Sequence, residues 1–206
     1  VAQLVGLPLV AFILGIVFNA PPAIAVGLVI LAACPSGATA NAYTFASRAD
    51  VPLCVSLSAV TSVVTVFTIP FLINMALRTF SLEGEMAQLP ILNMLLNLMT
   101  FTLIPLVLGM LIRYFYSAFS ERAVEPIRKV VLYVMMLVLL LGIVSSYDVL
   151  LENYKTVAIL VVTMNLLTMA LGFGLAKLFK LPLTQVITIT FEVGVQNLAL
   201  SFAITL

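Results

Sequence analysis

Histidine and tryptophan are absent from this chain of 206 residues, and cysteine occurs twice. Charge is scarce: 9 Lys and Arg face 8 Asp and Glu, together 8% of the residues. Each shortage closes something off. Without histidine the commonest metal ligand and the usual general base are missing, which excludes a structural zinc site and a Ser-His triad. Without tryptophan the most recognisable marker of a membrane interface is lost. Cys34 and Cys54 lie in or beside apolar stretches and read as small buried residues. A net charge of +1 gives a polyanion nothing to hold, so no nucleic-acid partner is expected. The scarcity of charge is itself the strongest constraint. A soluble domain carries about 25% charged and about 45–50% apolar residues, whereas here 64% are apolar and the mean hydropathy is +1.28. Such a chain cannot cover itself with polar surface, and a lipid bilayer is the solvent it requires.

A helix crosses about 30 Å of hydrocarbon with about 20 residues. Breaks at charges, proline and glycine divide the chain into seven segments: 1–18, 21–47, 51–77, 90–116, 130–147, 155–176 and 183–206. The fold class this implies is all-α transmembrane, a multi-helix bundle with short linkers. The longest linker, RTFSLEGEMAQLP, holds Glu83 and Glu85, while SERAVEPIRK at 120–129 reads as a short interfacial turn. Alternate connections carry seven of the basic residues: Arg48, then Arg113, Arg122, Arg128 and Lys129, then Lys177 and Lys180. The opposite side has two, Arg78 and Lys155. Positive charge favours the cytoplasmic face, so Val1 is expected inside and Leu206 outside. Both ends fall within apolar runs, and the sequence reads as an internal piece of a longer protein.

Two of the seven segments carry interruptions. In PPAIAVGLVILAACPSGATANAYTFAS, Pro35-Ser36-Gly37 falls about halfway along, followed by Thr39 and Asn41. Proline removes a backbone donor and glycine admits conformations closed to other residues. A simple kink is the plain alternative, but polar groups follow the break at membrane depth. The last segment repeats the arrangement: Pro182 enters it, and EVGVQN interrupts it with Glu192, Gly194, Gln196 and Asn197. Unpaired backbone at that depth survives only where protein or a water-filled cavity satisfies it. A pair of interrupted segments in corresponding positions marks a secondary transporter built from repeats.

Glu192 is the only charge between Leu183 and Leu206. An ionised carboxylate at mid-bilayer costs about 3 kcal/mol on insertion scales. A cation, a proton or a basic partner is expected to offset that, and no Lys or Arg lies in a span at comparable depth. Neighbouring oxygens favour a hard cation, because alkali ions take hydroxyls, amide oxygens and carbonyls released by helix breaks. Asn41, Gln196, Asn197 and the carbonyls of Val193 and Val195 supply them. The third segment adds Cys54, Ser58, Thr61, Ser62 and Thr65 on one helical face; hydrogen bonding between helices is the plain reading of that stripe.

CPSGATANAYTFASRADVPLCVSLSAV, followed far downstream by FEVGVQNLALSFA, resembles the bile acid:sodium symporter family in its bacterial form. The resemblance covers essentially the whole chain. It implies ten helices in two inverted repeats, with core and panel domains and two broken helices that cross. This chain would then be a single membrane transporter fragment, lacking the first two helices and the last. Segments 1–77 and 155–206 would be core-type and 90–116 panel-type, with 130–147 unassigned. The resemblance also implies two sodium sites as the only cofactors. The first would use Asn41, Ser58 and Glu192; the second, Gln3, Glu192, Gln196 and the carbonyls of Val193 and Val195. Ser36 replaces a glycine of the family pattern, a change that looks harmless. Ala40 and Cys54 replace hydroxyl residues and remove oxygens from the first site, leaving it weakened, rebuilt from backbone or lost. Thiols are poor ligands for hard cations.

The function expected is sodium-coupled symport of an organic anion, a bile acid or a small keto or hydroxy acid, by alternating access. Asn197 and Thr39 are expected at the substrate, beside helix N-termini that favour anions. The protein is expected in a multi-pass form in the bacterial inner membrane, with no obligate protein partner. The alternative is a proton-coupled or arsenite carrier of similar fold, with Cys34 as a thiolate beside the first break. An enzyme is not expected: no span has an Asp pair, a Ser-Lys dyad or a metal set for hydrolysis. A ligand sensor without translocation is the third class that the sequence leaves open.

Overall fold

The computed structural model describes residues 2–80, 91–100, 104–145, 147–197 and 200–201. The linker with Glu83 and Glu85, and most of the stretch after Asn197, lie outside the described residues. Those residues contain helices and no strand; a single isolated antiparallel bridge joins Ser36 and Gln196. In chain order the helices are α1 (Leu7–Val17), α2 (Pro22–Ala33), α3 (Ala38–Ala46), α4 (Val51–Phe80), α5 (Ile91–Leu98), α6 (Ile104–Phe115), α7 (Ser117–Ser145), α8 (Tyr147–Leu178) and α9 (Leu183–Gly194). A π-helical turn, Ala2–Gly6, leads into α1. Pro8 explains it: the ring lacks a donor for the carbonyl four residues back and presses on it, and the backbone widens there.

Proline opens several helices and a left-handed residue closes three. Pro22 begins α2, Pro52 lies in the first turn of α4, and Pro182 caps α9. Asp50 caps α4 by accepting the Leu53 N–H at 3.0 Å. Asn19, Arg48 and Lys180 have φ of 47°, 53° and 53°. Each lies one residue past a helix C-cap and closes it with the same pair of backbone bonds. After α3, Arg48 N–H donates to the Phe45 carbonyl and Ala49 N–H to the Thr44 carbonyl, both at 3.0 Å. This is the Schellman closure that glycine usually provides; asparagine and two long basic residues adopt it here.

Contacts divide the chain into two compact units, residues 1–95 with 158–206, and residues 96–157. In the second, α6 packs against α7. Helix α7 runs unbroken through 120–129, so the interfacial turn expected there is a helix instead. Glu121, Arg122 and Lys129 are exposed on it, and Pro126 removes a single ladder bond. The 90–116 segment is described as two helices, α5 and α6, with 101–103 outside the described residues.

The first unit holds the core. Leu7, Ala11 and Leu14 of α1 meet Leu28, Val29 and Ala32 of α2, with Ala76, Leu160, Met164 and Val193 closing the cluster. Phe12 stacks on Phe80, ring centroids 5.6 Å apart. Two described helices, Val51–Phe80 and Leu151–Leu178, are long and apolar enough to cross a membrane, and α2 and α9 are shorter apolar helices. The twelve residues of α2 rise about 18 Å, a little over half of a hydrocarbon core about 30 Å thick.

Gly172 lets α8 approach α9: an added Cβ would stand 2.9 Å from Val193 Cβ and 3.0 Å from the Ile189 carbonyl oxygen. Gly174 faces open space. Gly172→Ala is therefore expected to destabilise the folded protein by about 1–3 kcal/mol through overpacking. Gly174→Ala is expected to be neutral or stabilising by up to about 1 kcal/mol, from helix propensity. Thermal melts of both variants in detergent check this; equal melting temperatures would contradict the close approach.

Candidate functional site

Three elements converge on one carboxylate. Helix α2 ends at Ala33, Cys34 to Gly37 are extended, and α3 starts at Ala38. Helix α9 runs to Gly194, so Glu192 lies on its last turn and the second break is Val195 to Asn197. The breaks pair with each other: Ser36 bridges Gln196, and Asn197 N–H donates to the Pro35 carbonyl at 3.0 Å. Backbone groups that each helix releases are thus taken up in part by the other, as low-dielectric surroundings demand. Gly37 permits this closeness, since a Cβ there would lie 3.3 Å from Asn197 Cα. Asn197 Oδ1 accepts the Leu200 N–H at 3.1 Å, capping the chain as it turns helical again at Leu200.

Glu192 is buried, 2% exposed. Ser36 Oγ donates to its Oε1. Ser58 Oγ, from α4, stands 3.0 Å from both carboxylate oxygens, and Cys54 Sγ donates to Oε2 at 3.1 Å. Thr44 of α3 in turn donates to Cys54 Sγ at 3.4 Å. From the sequence, a cation, a proton or a basic partner is expected to offset the charge. Neutral donors are a fourth means. Hydrogen bonds to a charged group contribute about 1.5–3 kcal/mol each, so two of them match the insertion cost of about 3 kcal/mol.

The expected site residues divide. Ser58 and Glu192 are in contact, and Gln196 folds back so that its Nε2 donates to the Val193 carbonyl at 3.0 Å. Gln196 Oε1 is buried without a partner, as is Asn41 Oδ1 on α3. These are acceptors directed into the protein with no donor, the condition that a bound cation would relieve. Gln3 is buried on the π-turn, with Nε2 unpartnered; no hydrogen bond ties it to Glu192 or Gln196. Val195 and Gln196 line a cavity of about 200 Å³ together with Asn165 and Thr168. Thr39 is exposed on the first turn of α3, and no hydrogen bond joins it to Asn197. Thr61 and Thr65 bond to carbonyls of their own helix, at 2.9 and 3.1 Å, rather than to a neighbouring helix as the stripe suggested.

Ser36 and Asn165 were missed from sequence. Asn165 Nδ2 donates to the Gly194 carbonyl at 2.8 Å and fixes the edge of the second break from α8. Its signal is faint: one amide in an apolar helix. The loop before α4 is tied down separately, Asp50 N–H donating to Thr188 Oγ1 at 2.9 Å.

Described residues that are helical and without strands, two helices long and apolar enough to cross a membrane, and a carboxylate buried where two helix breaks meet are consistent with the class of all-α membrane proteins. The chain belongs to the sodium bile acid symporter family, whose model matches residues 1–153. It is 28% identical over 201 residues to the P3 protein of Homo sapiens, covering 98% of this chain and 42% of that one. It is 28% identical to sodium/bile acid cotransporter 4 of Mus musculus, over 96% of this chain and 45% of the other. With the uncharacterized sodium-dependent transporter YocS of Bacillus subtilis it shares 25% identity, over 99% of this chain and 62% of that one. The chain thus spans less than half the length of its mammalian relatives. The family is one of symporters, and the cotransporter 4 and YocS relatives are named as transporters, not enzymes.

Cys34 and Cys54 are both free and buried. A water-soluble maleimide is therefore expected to label neither in the folded full-length protein, and both after denaturation. Rapid labelling of Cys34 in the native state would contradict its burial and favour a thiolate carrier.

Proposed function

We propose that the protein carrying this chain is a sodium-coupled symporter of a small organic anion, working by alternating access across the bacterial inner membrane. The observation that carries the reading is the buried Glu192 carboxylate at the contact of two helix breaks, with the unpartnered oxygens of Gln196 and Asn41 buried on the segments that meet there. Sodium is a substrate in this scheme. Its proposed ligands are Asn41, Ser58 and Glu192 at one site, and Gln3, Glu192, Gln196 and the carbonyls of Val193 and Val195 at another. The amide of Gln3 presents its oxygen after a half-turn, which exchanges it for the unpartnered nitrogen.

Sodium would neutralise Glu192 and hold the two breaks aligned, which fixes the half-helix starts that favour an anion. Asn197 and Thr39 are proposed to orient the carboxylate of the substrate. Seven spans, inverted repeats and positive loops facing the cytoplasm complete the proposed topology. Rocking of core-type segments 1–77 and 155–206 against a panel is the proposed motion. The family and the relatives' printed names support sodium dependence; bile acids are named for one of them, and a keto or hydroxy acid is the other proposed substrate class.

Uptake by the full-length protein in proteoliposomes tests this, using labelled bile acid, pyruvate and pantoate. At least one is expected to accumulate under an inward sodium gradient and not under potassium, with uptake lost in Glu192→Gln. Accumulation driven equally by a proton gradient without sodium would overturn sodium coupling.

A further inference from the structure

Ser36 has no place among the ligands assigned above, yet it touches three of them, Glu192, Ser58 and Gln196. It is buried in the first break, with its backbone bridged to Gln196 and its hydroxyl donating to Glu192 Oε1. The same hydroxyl stands 2.9 Å from Ser58 Oγ, which itself stands 3.0 Å from both carboxylate oxygens. Ser36 Oγ, Ser58 Oγ and the carboxylate therefore form a closed triangle, each corner within contact of the other two. They come from the first break, α4 and the last turn of α9.

We propose that the Ser36 hydroxyl oxygen is a ligand of the hard cation held at Glu192. The inference rests on the sodium coupling proposed above and adds to it a residue outside the ligand set given there. A hydroxyl has one proton and two lone pairs, and its proton turns freely about the Cβ–Oγ bond. With no cation present, Ser36 and Ser58 direct protons at the carboxylate and satisfy its charge. When a cation enters, rotation of the two hydroxyls turns lone pairs toward it, and the oxygens that caged the carboxylate become its shell. Two neutral oxygens and one carboxylate make a donor set that hard cations accept.

The surroundings explain why this oxygen matters. Ala40, fully buried on α3, offers no side-chain donor, and Cys54 presents sulfur to Glu192, a soft atom that a hard cation avoids. Ser36 supplies from the break itself the oxygen that these two positions lack. A cation bound there would tie the first break to α9 directly, so ion binding and alignment of the breaks become one event.

The test is thermal stability of the purified full-length protein, titrated with sodium chloride against choline chloride at constant ionic strength. A ligand that prefers the folded state stabilises it by mass action, and no organic substrate is needed. Ser36→Ala is expected to raise the sodium midpoint about tenfold, the loss of roughly one neutral ligand, while Ser36→Thr keeps it near the parent value. Ser36→Cys keeps a donor of similar size but exchanges oxygen for sulfur, and is expected to weaken sodium as Ser36→Ala does, which guards against misfolding of the alanine variant. A purely structural role would lower the sodium-free melting temperature and leave the midpoint unchanged, and that result overturns the proposal. A parent protein with no sodium response would instead sink sodium coupling itself, and this inference with it.

Discussion

The pairing of two helix breaks around a single carboxylate is the constraint on which the rest of the first unit depends. Neither break is tolerable alone: each leaves backbone donors and acceptors at a depth where water is scarce. Brought together, Ser36 and Gln196 form a bridge and Asn197 binds the Pro35 carbonyl, so each break completes the other. Glu192 adds a charge to that junction, and the side chains of Ser36, Ser58 and Cys54 close around it. Packing elsewhere serves this arrangement. Gly37 and Gly172 allow the close approaches it needs, and Asn165 holds the edge of the second break from α8.

In the proposed scheme the same interaction keeps the site stable while it responds to an ion. A carboxylate held only by a cation would be costly to empty, because the bare charge would remain in an apolar surround. A carboxylate held by rotatable hydroxyls is satisfied in both conditions, and the difference in free energy between them stays small. A coupling site requires that balance, since the ion must leave as readily as it arrives. Cys54 presents sulfur to Glu192 and Ala40 has no polar atom there; in the proposed scheme the short polar side chain of Ser36 supplies the hard oxygen that these two positions lack.

Much of this was legible in the sequence, though unevenly. Apolar composition and scarce charge revealed the membrane class, because a chain so poor in polar surface has no soluble solution. Pro35-Ser36-Gly37 marked the first break accurately, since proline and glycine act locally on the backbone. The second break was placed too early: Glu192, Val193 and Gly194 remain helical, and the interruption begins at Val195. Charge misled at 120–129, where Glu121, Arg122, Arg128 and Lys129 suggested a turn inside what is a continuous helix. Ser36 was read as a harmless replacement for glycine. Its contact is with a residue 156 positions away, which local pattern cannot carry. Neutral donors to Glu192 were overlooked for the same reason, as the argument from burial counted only charges.

The central claim is that Glu192 is the carboxylate around which sodium binds. Equilibrium binding of radioactive sodium to the purified full-length protein tests it most directly, with Glu192→Gln as the comparison. The glutamine variant keeps an amide oxygen and nearly the same shape, so loss of binding with the fold retained isolates the charge. The account expects saturable binding, displaced by unlabelled sodium but not by potassium, and abolished in Glu192→Gln. Saturable binding that survives unchanged in a folded Glu192→Gln protein would contradict it.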